Sequence, residues 1–154
     1  MALKHDFFLI PNTVDLDQLV MNYNKHSDII DSVVLHDDII SYMSDTLKWI
    51  PSKNPGLRGI TPCKGINYHG VTLFDSESAP ILKSVFSAWK DLFQNSPKVL
   101  KLTGMYVMIE GVEGEGHYEK LVFNRDELIK NFEKMISFSN QLAEGNCYIY
   151  HWGV

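Results

Sequence analysis

Six histidines, His5, His26, His36, His69, His117 and His151, are the first residues to ask for chemistry, because an imidazole can hold a metal or act as a general base. Their spacing supports neither role: no HxxxH or HExxH pair sets two imidazoles on one helix face. Only at His36-Asp37-Asp38 does an imidazole adjoin two carboxylates. A helix start with acids in its first turn accounts for that trio, and no metal is expected there. Nucleophilic catalysis finds no better footing. The chain has no GxSxG, and Cys63, following Pro62, has His69 as its nearest imidazole with no third group to orient the pair. Gly111, Gly114 and Gly116 form a glycine-rich segment, but Glu110, Glu113 and Glu115 beside them repel phosphate, which excludes a nucleotide loop. That segment is either a solvated hairpin tip or an acidic finger that reaches into a basic cleft. No catalytic residue and no cofactor is assigned, and a non-enzymatic protein is expected.

Charge is more informative than any motif. Between Asp6 and Asp45 stand eight acidic residues, Asp6, Asp15, Asp17, Asp28, Asp31, Asp37, Asp38 and Asp45, against one basic residue, Lys25. The formal net charge is −5, and beyond this first third the chain is close to balanced. A one-sided acidic surface favours a basic protein partner and disfavours nucleic acid, whose binders carry a Lys/Arg footprint. The expected binding surface comprises Asp15, Asp17, Asp28, Asp31, Asp37 and Asp38, joined by Glu113 and Glu115.

The elements that must position these residues follow from periodicity. At 154 residues one domain with a real core is expected, of α+β class, with a mainly antiparallel sheet packed against amphipathic helices. No apolar run approaches a bilayer span, and the start lacks a charged region followed by a long apolar core, so a cytoplasmic protein is expected. Cys63 and Cys147 form no CxxC pair and are read as reduced thiols.

Phe7 to Ile10 suggests a short strand stopped at Pro11. Thr13 is placed to cap a helix from about Val14 to Asn24, and Asp37 to Trp49 suggests a second, ended by Pro51. Pro51 to Gly65 holds three prolines and three glycines and reads as a long loop, either ordered by packing or functional. Asn67 to Phe74 reads as a strand. Ile81, Leu82, Val85, Phe86, Trp89, Leu92 and Phe93 then recur at helical spacing.

Val99 to Glu110 and Tyr118 to Phe123 form a predicted hairpin. Asn124 caps a helix from Arg125 to about Ala143 that carries Leu128, Ile129, Phe132, Met135, Ile136 and Leu142 on one face, and Gly145 ends it. The closing strand alternates Tyr148, Tyr150 and Trp152 on one sheet face, which is core if covered and a binding hot spot if open.

Gly65-Ile66-Asn67-Tyr68-His69-Gly70-Val71-Thr72, the helix with Ala88-Trp89-Lys90-Asp91-Leu92-Phe93, and Leu102-Thr103-Gly104 resemble small bacterial immunity proteins, the antidotes of polymorphic and contact-dependent growth inhibition toxins. The resemblance covers about the last 90 residues and carries over no functional residue. It implies a cytoplasmic, non-enzymatic protein that binds one toxin domain, often a nuclease, and the charge argument makes that nuclease basic; separately, a monomer or weak homodimer is expected. The rival expectation is a small ligand-binding or enzymatic domain with a pocket where the Pro51–Gly65 segment meets the sheet, near Tyr68, His69 and Cys63.

Overall fold

A computed structural model describes residues 3–16, 28–55 and 61–154. The predicted helix from Val14 to Asn24 lies mostly outside the described residues, and Asp17 with it. The chain folds as α+β around a six-stranded antiparallel sheet. Its strands are β1 (Lys4–Pro11), β2 (Asp31–His36), β3 (Pro51–Asn54), β4 (Thr61–Lys64), β5 (Val71–Phe74) and β8 (Cys147–Trp152), in the order β2-β1-β8-β5-β3-β4. The last strand therefore sits at the centre, with Asp6 opposite Trp152 on one side and Val71 opposite Trp152 on the other. Among the described residues, no helix is long and apolar enough to cross a membrane.

One sheet face carries the helices. Phe7 and Leu9 of β1 alternate towards it, as do Cys147 and Ile149 of β8, and all four are buried in the main core. Against them pack α3 (Ala79–Phe93) and α4 (Arg125–Ala143). The two helices meet through Phe86 and Phe132, whose rings lie edge to face at 5.3 Å, and through Phe93. Leu82, Val85 and Phe86 of α3 are buried as its periodicity requires, whereas Ile81 and Leu92 at the flank of the stripe are exposed. Asn124 caps α4 by accepting from the backbone N–H of Asp126 at 3.0 Å and of Glu127 at 3.1 Å. On the opposite sheet face Tyr150 is fully buried with Ile10 and Leu73, while Tyr148 and Trp152 are only partly covered. The closing aromatics are thus core at the centre and part-exposed at the ends.

Four elements depart from the sequence expectation. Within the predicted Pro51–Gly65 loop, Pro51–Asn54 and Thr61–Lys64 are the antiparallel strands β3 and β4, with Pro51 opening β3 and Pro62 on the edge strand β4, where a missing donor costs no ladder bond. Residues 31–36 form β2, in which Val33 and Leu35 are buried. The helix expected from Asp37 to Trp49 is two short pieces, α1 (Asp37–Tyr42) and α2 (Ser44–Leu47), hinged at Met43. The strand expected from Asn67 begins only at Val71, because 67–70 is a turn.

A second, two-stranded sheet pairs β6 (Val99–Met108) with β7 (Gly116–Asn124). Its base is anchored by Leu100 and Leu121, both buried, and by Leu102 and Phe123, which pack on the core. A register shift between Thr103 and Tyr106 marks a bulge, beyond which the hairpin projects as an arm.

Candidate functional site

The chemistry of this molecule concentrates where β1, β8, α1 and the 67–70 turn converge. His5 on β1 and His151 on β8 are fully buried and lie side by side, with His5 Nδ1 at 2.9 Å from His151 Nε2. His5 Nε2 lies 3.1 Å from Asp37 Oδ1, and the Tyr68 hydroxyl donates to the same oxygen. At the other end His151 Nδ1 lies 3.3 Å from Thr72 Oγ1, which itself accepts from the Asn67 backbone N–H at 2.7 Å. Asp37 is fixed in turn by its place in the first turn of α1 and by its backbone N–H donating to the Leu3 carbonyl.

The carboxylate sets the direction of every proton in this chain. Asp37 accepts only, so His5 must donate from Nε2, and its ring, kept neutral by burial, accepts at Nδ1. His151 must then donate from Nε2 and accept at Nδ1 from the Thr72 hydroxyl. Both rings are therefore neutral Nε2–H tautomers, and all bonds point towards Asp37. Burial supports the neutral state: it pushes His151 down to about 3 and holds His5 below the usual histidine range despite the opposing pull of Asp37. Burial first, then the bond to Asp37, raises the Tyr68 hydroxyl.

Asp37 and Tyr68 connect this interior to a cavity of about 410 Å³ between α1 and the base of the arm. Asp38, Ser41 and Tyr42 of α1 form one wall, and Thr103, Gly104, Met105, Glu119 and Leu121 of the arm form the other. Gly104 lets the strands pack closely here, since a Cβ would stand 3.0 Å from the Glu119 Cβ and 3.2 Å from Leu121 Cδ2, and those side chains would have to shift to admit it. Asp37, Asp38 and Glu119 give the cleft three carboxylates, and among the described residues no Lys or Arg pairs with any of them. His36 caps α1, its Nδ1 accepting from the Asp38 N–H at 3.1 Å, as expected for a helix start. Among the described residues no group of three or more His, Cys, Asp or Glu side chains could hold a metal ion.

The arm carries further exposed side chains. Beyond its bulge Met105, Tyr106, Met108, Ile109, Val112 and Tyr118 are exposed, Met105 at 72% and Tyr118 at 60%. Tyr106 and Tyr118 face each other across the strands with ring centroids 5.1 Å apart. At the tip Glu110, Glu113 and Glu115 are exposed around Gly111 and Gly114, whose positive φ angles make the turn.

The acids expected to form one face are divided. Asp37 and Asp38 line the cleft, and Glu113 and Glu115 sit at the arm's tip. Asp15, Asp28 and Asp31 lie at the opposite end of β1 and β2, roughly 17 Å away along the six residues of β2. Asp15 and Asp28 are exposed, while Asp31 is engaged by Lys134 at 2.8 Å, which lowers its carboxyl below the usual range. Of the rival pocket residues, Tyr68 lines the cleft, but His69 and Cys63 are exposed and do not.

Sequence reasoning named His5 and His151 but assigned them no role, and it overlooked Glu119. A signal was present for the histidines: His5 shares its phase with Phe7 and Leu9, and His151 with Ile149 and Cys147, so both occupy core positions of buried strands. A polar group there requires a buried partner. Searches against family models, curated proteins and solved structures find no match to this chain.

Proposed function

We propose that this protein is a non-enzymatic antidote of the immunity type, which binds a basic toxin domain through the acidic cleft and the arm beside it. The observation that carries this reading is the cleft itself, in which three carboxylates without a Lys or Arg partner among the described residues adjoin the exposed side chains of Tyr42 and Met105. Contiguous exposed apolar side chains beside polar ones are the composition of a protein interface, and tyrosine is a common hot spot. The carboxylates steer a basic partner and set its register, and the arm supplies apolar area. Asp37, Asp38, Glu119, Glu113 and Glu115 belong to this surface. Asp15, Asp28 and Asp31 are assigned a lesser, long-range part in steering.

The test is co-expression with the product of the adjoining upstream gene, followed by isolation at low and high salt. A stoichiometric complex whose association slows, and loses salt dependence, in the Asp38→Lys/Glu119→Lys/Glu113→Lys variant supports the reading. No complex at either salt concentration, or a variant that associates like the parent, refutes it. A small-ligand or enzymatic site is the second reading, favoured by the volume of the cleft and by the ordered bonds that end in it at Asp37 and Tyr68. A small organic cation that binds the isolated protein at micromolar concentration would move that reading ahead.

A further inference from the structure

We infer that the Thr72–His151–His5–Asp37 chain is a proton-sensitive support beneath the cleft: one proton taken up at His5 cancels the charge of Asp37 and weakens the cleft's hold on a basic group. The inference rests on the reading of the cleft as the site for a basic partner and adds a regulation to it. The geometry gives the proton a defined place. A proton arriving on His5 Nδ1 turns that atom from acceptor to donor towards His151 Nε2, 2.9 Å away. His151 must then carry its single proton on Nδ1, facing Thr72 Oγ1 at 3.3 Å, where the hydroxyl oxygen can accept. The His5–His151 and His151–Thr72 bonds reverse while His5 goes on donating to Asp37. Thr72 Oγ1 then accepts from both His151 and the Asn67 N–H and turns its own proton away from His151, and the balance is one proton gained.

His5, now imidazolium, remains 3.1 Å from Asp37 Oδ1, so the pair facing the cleft goes from net negative to neutral. A second proton is resisted, because it would set two N–H donors against each other across the same 2.9 Å. The ionisable groups acting on the pair are Asp37 on α1, Asp6 beside His5 on β1, and Tyr68 and His69 in the turn before β5. Asp37 and Asp6 favour the first proton on His5, and His69 opposes it. Thr72 on β5 contributes only a hydroxyl, which makes His5 the better base of the two. By linkage, a cation seated in the cleft expels that proton.

The experiment uses the intact, nitrogen-15-labelled protein and N-acetyl-arginine amide as the probe cation. Long-range proton–nitrogen spectra of the imidazoles are followed from pH 7.5 to 5.0, and the probe is titrated at both ends. Both rings should be Nε2–H tautomers at pH 7.5. On acidification His5 should become doubly protonated while His151 moves its proton to Nδ1. The probe's dissociation constant should rise on the order of tenfold, as expected for loss of one nearby charge at a partly exposed site. In Asp37→Asn it should already be raised at pH 7.5 and change little with pH.

An Nδ1–H tautomer on either ring at pH 7.5, or a His5 still neutral at pH 5.0, overturns the inference while leaving the binding surface untouched. The expected tautomers with a pH-independent dissociation constant overturn it too. Absence of any probe-induced shift at cleft residues at pH 7.5 overturns the cleft itself as a cation site, and the inference with it. The spectra of the parent protein decide the first point even if Asp37→Asn fails to fold.

Discussion

Moving from pH 7.5 to 5.0 should destabilise the fold through His151. Its imidazole is fully buried between two strands at the centre of the sheet, and burial pushes its pKa down to about 3, against 6.5 for the free side chain. A histidine depressed in the folded state is kept neutral there, whereas in the unfolded chain it takes up a proton as the pH falls below 6.5. The unfolded state then binds more protons and gains stability relative to the native one. This contribution is complete above pH 6.5 and is lost as the pH falls towards 3. Each unit below 6.5 costs about 1.4 kcal/mol, so about 2 kcal/mol is gone at pH 5.0.

His5, also lowered by burial, adds in the same direction. Asp31, lowered by Lys134, loses its contribution only as the pH falls below about 4, so the window from 6.5 to 5.0 reports chiefly on imidazoles. Urea unfolding followed by tryptophan fluorescence should show a midpoint about 1 M lower at pH 5.0 than at 7.5, for the slope expected of a chain this size. His151→Gln should flatten that difference. A midpoint that moves by less than about 0.2 M in the parent protein would refute the argument.

Removing the α4 cap with Asn124→Ala leaves the Asp126 and Glu127 N–H groups without their acceptor and should cost about 1 kcal/mol. Calorimetry should then show a Tm lower by roughly 2–4 °C. Phe132→Ala removes a fully buried ring that touches Phe86 and Phe93 and should cost about 3–5 kcal/mol in denaturant titration; a loss under about 1.5 would mean that the interface between α3 and α4 is looser than described. Among the described residues the buried Tyr150 hydroxyl has no hydrogen-bond partner, so Tyr150→Phe should leave stability unchanged or raise it by about 1 kcal/mol, and marked destabilisation would reveal a partner outside those residues.

Local rules made the C-terminal half legible. Asn124, the run from Leu128 to Leu142 and Gly145 locate α4 without tertiary information, because caps and 3.6-residue periodicity act within a few residues. His36-Asp37-Asp38 likewise marks the start of α1. Pro51 to Gly65 misleads because proline and glycine density signals a loop only where the backbone lacks a sheet to join, and here β5 provides one. Met43 breaks a continuous apolar stripe without a proline or glycine, so the break between α1 and α2 has no local signature.

The cleft was half visible: Asp37, Asp38 and Tyr68 attracted attention through charge and neighbourhood. Glu119 did not, since it joins them only when the arm folds against α1. His5 and His151 are separated by 146 positions, and nothing short of the strand order brings them together. The one-sided acidity of the first third, though real, does not become one surface, because β2 carries its two ends apart.

The central position of β8 also governs when this protein can form. Both of its neighbours, β1 from the start of the chain and β5 from the middle, wait for residues 147–152 before they can be joined, so until then the sheet exists as two unconnected pieces with open edges. Loop closure across nearly the whole chain must precede the main sheet pairings, which places folding towards the slow end for a domain of this size. During synthesis β1 and β2 can pair early, but Phe7 and Leu9 remain without the strand that completes their layer. A nascent chain stalled before Cys147 should therefore be protease-sensitive and dependent on chaperones, and passage of the last strand should convert it in a single cooperative step.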